Sequence, residues 1–147
     1  MVINVAALPS QNDDLVLEDI QQVVAAARGC PVKTIIETWV LTDEEKQRAC
    51  RIAEKAGAAL VKTTTGVRTQ YLTQITADPV GATMADIRLM RNVLSPVVKI
   101  KASGGIYTLD FALELLREGA HQLGMSHGEK IIREFHEIYG DGLELGW

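Results

Sequence analysis

The sequence predicts an α/β fold built on a parallel sheet. Two observations carry that expectation. Short apolar, β-branched runs alternate in strict order with stretches of helical period. Glycine, proline and capping residues fall between them. Such alternation packs as parallel strands joined by right-handed crossovers. Two architectures remain open at this level, a doubly wound sheet and part of a (β/α)8 barrel. A complete barrel usually needs about 200 residues or more, and the chain has 147.

Each element has its own signal. Val2–Leu8 reads as a first strand. Leu17–Arg28 follows with apolar residues at Leu17, Ile20, Val23, Val24 and Ala27, a helical stripe ended by Gly29 and Pro31. Val32–Thr38 is the second strand. Thr42 then caps a helix, with Glu45 completing a capping box. That helix turns Ala49, Ile52, Ala53 and Ala56 to the core and stops at Gly57. Ala59–Thr64 is the third strand. Thr83 caps the next helix, whose stripe is Ile87, Met90, Val93 and Leu94. Val97–Ala102 is the fourth strand. Thr108 caps a helix burying Leu109, Ala112, Leu113 and Leu116, with a stop at Gly119. Gln122–Ser126 is a short fifth strand, and a last helix runs from about Gly128 to Tyr139. The chain is thus read as one domain, residues 1–147, of about five β–α units.

Composition narrows the setting. The net charge of −4 gives no electrostatic reason to expect nucleic acid or an anionic membrane as partner. No apolar run is long enough to span a bilayer, and no signal peptide is read at Met1. The two cysteines, Cys30 and Cys50, form no metal spacing, and a reduced cytoplasmic setting is expected. Cys50 reads as a small apolar filler of its helix.

Two lysines carry the chemistry. Lys62 closes one strand in A-L-V-K-T-T-T-G, and Lys101 closes the next in V-V-K-I-K-A-S-G-G. Lysine at a strand end can snorkel to solvent. A lysine held in an apolar site, or beside another cation, loses proton affinity and becomes an amine nucleophile. The glycine turns after both lysines favour the second reading, Schiff-base chemistry on a carbonyl. In parallel α/β folds, functional residues gather at the carboxyl ends of strands. Gly104, Gly105, Gly124 and Gly128 lie there, beside helix N-termini, and suit a phosphate. His121, His136, Trp39 and Trp147 read as surface or packing residues, and no metal site is expected. Lys99 shares a strand face with Lys101, so either both point inward or that strand end is wet.

With these motifs in view, the chain resembles deoxyribose-phosphate aldolase. The resemblance rests on Lys62-Thr-Thr-Thr-Gly66, Gly81-Ala-Thr83 with Asp86 and Arg88-Leu-Met90, and Lys101-Ala-Ser-Gly-Gly-Ile106. It also rests on Met1-Val-Ile-Asn4, Val32-Lys-Thr-Ile-Ile-Glu-Thr38 and Leu41-Thr-Asp-Glu-Glu45. The motifs keep the family's order over nearly the whole chain. The resemblance implies a class I aldolase on a (β/α)8 barrel, joining acetaldehyde and glyceraldehyde 3-phosphate reversibly without metal or organic cofactor. Lys62 would form the imine and Lys101 would activate it by its charge. Gly66, Gly104, Gly105, Gly124 and Ser126 would hold the phosphate. Lys33 would stand near the proton relay.

Departures from the pattern set further expectations. The family's catalytic aspartate precedes the segment matched by Met1–Asn4, so the chain is read as starting just after it. The five units then match the fourth to eighth of the barrel. Glu37 is the internal carboxylate best placed to stand in for that acid. His127 occupies a position where the family usually has serine. The stretch Arg68–Val80 is longer than the family's loop and reads as a lid or a tolerated insertion. A partial barrel should bare an apolar inner face and two strand edges, and homo-oligomers through those edges are expected. Three functions compete: this aldolase, a related phospho-sugar Schiff-base enzyme, or a half-barrel that binds a phosphorylated ligand or partner chain without turnover.

Overall fold

A computed structural model describes residues 1–67 and 81–144. Four strands, β1 (Lys33–Ile35), β2 (Leu60–Lys62), β3 (Lys99–Ser103) and β4 (Gln122–Gly124), form one sheet in sequential order. Every pairing in it is parallel. Helices α1 (Asp13–Ala26), α2 (Asp43–Lys55), α3 (Met84–Val93), α4 (Leu109–Glu118) and α5 (Gly128–Tyr139) alternate with the strands. The architecture is that of a partial (β/α)8 barrel.

The caps read from the sequence set the helix starts. The Thr42 hydroxyl accepts the Glu45 N–H while the Glu45 carboxylate accepts the Thr42 N–H, the reciprocal capping box. Thr83 and Thr108 cap α3 and α4 through the N–H groups of Asp86 and Phe111. Helix α1 starts earlier than its apolar stripe indicates. Asn12 accepts the Leu15 N–H, and Asp13 and Asp14 occupy the first turn, where the helix dipole favours acids. Its buried residues are Val16 and Ile20, four apart, and Val23 faces outward.

The first expected strand fails. Val2 makes one parallel bridge to Ile35, and the chain then turns into a 3-10 helix over Val5–Ala7. Ala6 and Ala7 are weak strand formers, while Ile3, Ala7 and Leu8 still reach the core. The sheet therefore has four strands among the described residues, with one bridge along the β1 edge.

The two faces of the sheet differ. Thr34, Val61, Ile100 and Ala102 are buried on the helix side. The opposite face carries Lys33, Ile35, Leu60, Lys62, Lys99, Lys101 and Gln122, half-buried or exposed. The inner face was expected to be apolar. It is mainly cationic and polar, because the lysines occupy alternate positions of adjacent strands. Lys99 is exposed, so its end of β3 is wet. Among the described residues, no helix is long and apolar enough to cross a membrane.

Candidate active site

Parallel register brings the lysines together. Lys62 lies opposite Lys101, and Ile35, two residues beyond Lys33 on the same face, lies opposite Lys62. The Lys101 amine is held below the usual lysine range. Burial is the main cause, followed by the positive charges of Lys33 and then Lys62. The sequence-predicted neighbours Lys33, Lys62 and Lys101 are thus one cluster. Gly124 leaves room for it, since a Cβ at that position would stand 3.1 Å from the Lys101 Cε.

The strand ends enclose a cavity of about 430 Å³. Lys62 lines it together with Gly66, Gly104, Gly105, Gly124 and Ser126, the residues expected around a phosphate. Gly66, Gly104 and Gly105 all have positive φ, so their N–H groups take directions that other residues rarely supply. At Gly104 the crowding is direct. A Cβ there would meet the Cα atoms of Gly81 at 3.1 Å and Gly66 at 3.3 Å. Three turns converge on that point, and the Ala82 N–H donates to the Gly104 carbonyl at 3.0 Å.

Other lining residues escaped the sequence reading. Ser103 follows Lys101 by two residues, so strand alternation could have placed it. Thr65, Ile106, Tyr107 and Met125 also line the cavity, and loop residues carry no such periodic signal. The Tyr107 and His127 rings meet edge to face at 5.4 Å. Both side chains are exposed at the start of α5, where His127 is the N-cap residue without a side-chain cap bond.

Glu37 does not serve as the stand-in acid. Its carboxylate is buried and takes donors from Trp39, Thr64 and Thr65. No ion pair joins it to a lysine among the described residues. Trp39 is accordingly a buried packing residue. His121 is exposed, and its Nδ1 accepts the Ile100 N–H at 3.2 Å. No group of three or more His, Cys, Asp or Glu among the described residues is placed to hold a metal ion. The stretch Arg68–Val80, read as a lid or insertion, lies outside the described residues, as does Trp147.

No protein-family model matches the chain. Curated relatives do. The chain is 48% identical over 141 residues to deoxyribose-phosphate aldolase of Streptococcus sanguinis, covering 96% of this chain and 59% of that protein. It is 46% identical over 142 residues to the Bacillus subtilis enzyme of the same name, with the same two coverages. Among solved structures, a putative deoxyribose-phosphate aldolase from Coccidioides immitis superposes with a TM-score of 0.80 at 34% identity. That match covers 92% of this chain and 51% of the other. A tetrameric deoxyribose phosphate aldolase from Aeropyrum pernix gives 0.73 at 26% identity, covering 88% and 52%. The resemblance read from the motifs therefore holds over nearly the whole chain. The chain spans about three-fifths of the length of the curated relatives it matches.

Proposed function

We propose that this relative of the deoxyribose-phosphate aldolases carries their Schiff-base lyase chemistry, with Lys62 as the nucleophile. The substrate in this reading is 2-deoxy-D-ribose 5-phosphate, cleaved reversibly to acetaldehyde and glyceraldehyde 3-phosphate. The observation that carries it is Lys62 opening onto a glycine-walled cavity with a second lysine paired beside it. Lys62 stands in that cavity, Lys101 lies opposite it in register, and Lys101 has reduced proton affinity.

The chemistry needs no metal or organic cofactor. The neutral Lys62 amine adds to the sugar's carbonyl carbon, and loss of water leaves an iminium ion. That cation accepts the electron pair released when the bond between the α and β carbons breaks, as the β-hydroxyl gives up its proton and becomes the carbonyl of the departing aldehyde. The aldehyde product departs with the phosphate, and the remaining enamine takes a proton. Hydrolysis then releases acetaldehyde and restores the amine. Lys101, beside Lys33, is suited to move a proton at this step, because a base of lowered pKa exchanges protons nearer neutrality. Gly66, Gly104, Gly105, Gly124 and Ser126 would line the phosphate site, the glycines letting the anion approach the backbone closely and Ser126 offering a hydroxyl. One domain, residues 1–147, in a reduced cytoplasmic setting with its two free thiols, completes the reading.

Borohydride reduction in the presence of acetaldehyde tests it. A reduced two-carbon adduct on Lys62 is expected. Replacing Gly105 with aspartate should remove the protection that a phosphosugar gives against unfolding. An adduct confined to Lys101, or none, defeats the assignment.

A further inference from the structure

We propose that Glu37 is a positioning residue. Its buried carboxylate holds the turn after Lys62, and so fixes where the Lys62 amine and the Gly66 N–H stand. The inference rests on the Schiff-base reading of Lys62. Glu37 is 4% exposed and adopts φ 53°, ψ 59°. That left-handed conformation is disfavoured for a residue with a Cβ, and persists where the surroundings over-determine it. Here they do. Oε2 accepts from the Trp39 indole Nε1–H at 2.8 Å and from the Thr64 Oγ1–H at 2.7 Å. Oε1 accepts from the Thr65 backbone N–H at 2.6 Å.

The bonds continue past the carboxylate. Thr64 gives its hydroxyl proton to Glu37 and uses the same oxygen to accept the Gly66 N–H at 3.0 Å. The Thr64 carbonyl accepts the Ser103 hydroxyl. Thr63 Oγ1 donates to the Ser103 carbonyl at 3.2 Å and accepts the Ser103 N–H at 3.0 Å. Glu37, at the end of the first strand, is thereby tied to the glycine turns of both following strands. Lys62 directly precedes this network. Burying a carboxylate costs free energy that apolar packing would not. What it supplies is two acceptor oxygens that orient three donors at once, and no neutral side chain does the same. An amine attacking a carbonyl is sensitive to such orientation, since misplacement by about 1 Å can lower rates about 10²-fold.

The test uses the full chain with acetaldehyde and borohydride, mapping adducts on Lys33, Lys62 and Lys101 by mass spectrometry. Glu37→Gln keeps the volume but turns an NH2 group towards N–H or O–H donors. Labelling of Lys62 per folded molecule should fall roughly tenfold or more, and the share of adduct on Lys33 and Lys101 should rise. Stabilisation by inorganic phosphate should fall with it, because the turn that carries Gly66 into the cavity wall loses its anchor. A role confined to fold stability would lower the melting temperature yet leave the rate per folded molecule and the adduct distribution unchanged, and that result overturns the inference. Should Glu37→Gln not fold, Thr64→Val removes only the hydroxyl link at nearly constant volume. It should shift labelling in the same direction, and unchanged labelling in that variant also overturns the inference. A native chain that gives no Lys62 adduct defeats the Schiff-base reading itself. A native adduct with insensitive variants defeats the positioning role alone.

Discussion

Lys101 shows how one side chain links stability to chemistry. Burial and the charges of Lys33 and Lys62 lower its pKa, so the folded chain releases this proton more readily than the unfolded chain. Below the folded pKa the unfavourable interaction is fully present. It is relieved as pH rises from that value towards the ordinary lysine value of 10.5. Lys101→Met should therefore be more stable than the native chain at pH 7, and most of that gain should vanish at pH 10. Urea unfolding at the two pH values measures this, and an equal gain at both would assign the effect to packing instead. The two thiols differ in the same physical sense. Burial pushes Cys50 up to about 12, whereas Cys30 is exposed. Since the thiolate is the reactive species, a disulfide reagent should titrate one thiol in the native chain and two in urea. Fast reaction of two native thiols would mean that α2 opens readily.

At the scale of elements, a well-buried ion pair joins α2 to α3. Lys46 of α2 meets Asp86 of α3 at 2.8 Å, with side chains 14% and 6% exposed. Burial would lower the Lys46 pKa, but hydrogen bonds and charges from Asp86 and Asp43 outweigh it, and the net shift is upward. Asp86→Ala leaves a partly buried cation with Asp43 alone, and should cost about 2 kcal/mol. Asp43→Ala, at an exposed i,i+3 pair, should cost far less. Equal losses in urea unfolding would show that the buried pair is not special. Much of this level was legible in the sequence. The Thr42, Thr83 and Thr108 caps and the lysine–glycine turns are local signals, and the structure has the caps and brings the turns together. What was not legible depends on partners distant in sequence. Val2–Leu8 has strand-like residues, yet the fold takes one bridge from it and packs the rest as a turn. Glu37 looked like an acid near lysines, and only the tertiary approach of Thr64 and Thr65 shows where its oxygens point.

At the scale of the whole molecule, the sheet formed by the described residues is open. The outer edge of β4 pairs with no strand among the described residues, and unpaired edges recruit other strands. Helix α5 buries Ile131 but leaves Ile132, Ile138 and Tyr139 outward. An apolar groove of about 440 Å³, lined by Leu113, Leu116, Met125 and Phe135 among others, runs beside it. Self-association of the 147-residue chain is expected from these surfaces, and it bears directly on turnover. The lysine face of the sheet is partly exposed, so water reaches the amines, and every electrostatic effect there is weaker than in a closed site. Glu37 is also occupied by its three donors, so proton transfer at the enamine has no carboxylate from that residue. A positioned acid–base group contributes about 10²–10⁴-fold. Imine trapping by this chain should therefore persist while cleavage of deoxyribose 5-phosphate is slow. Association that covers the lysine face should raise the cleavage rate per chain as protein concentration rises, in step with the mass seen by light scattering. Fast cleavage by a chain that light scattering shows to be monomeric would mean that four strands already exclude enough water, and that enclosure is not what limits the rate.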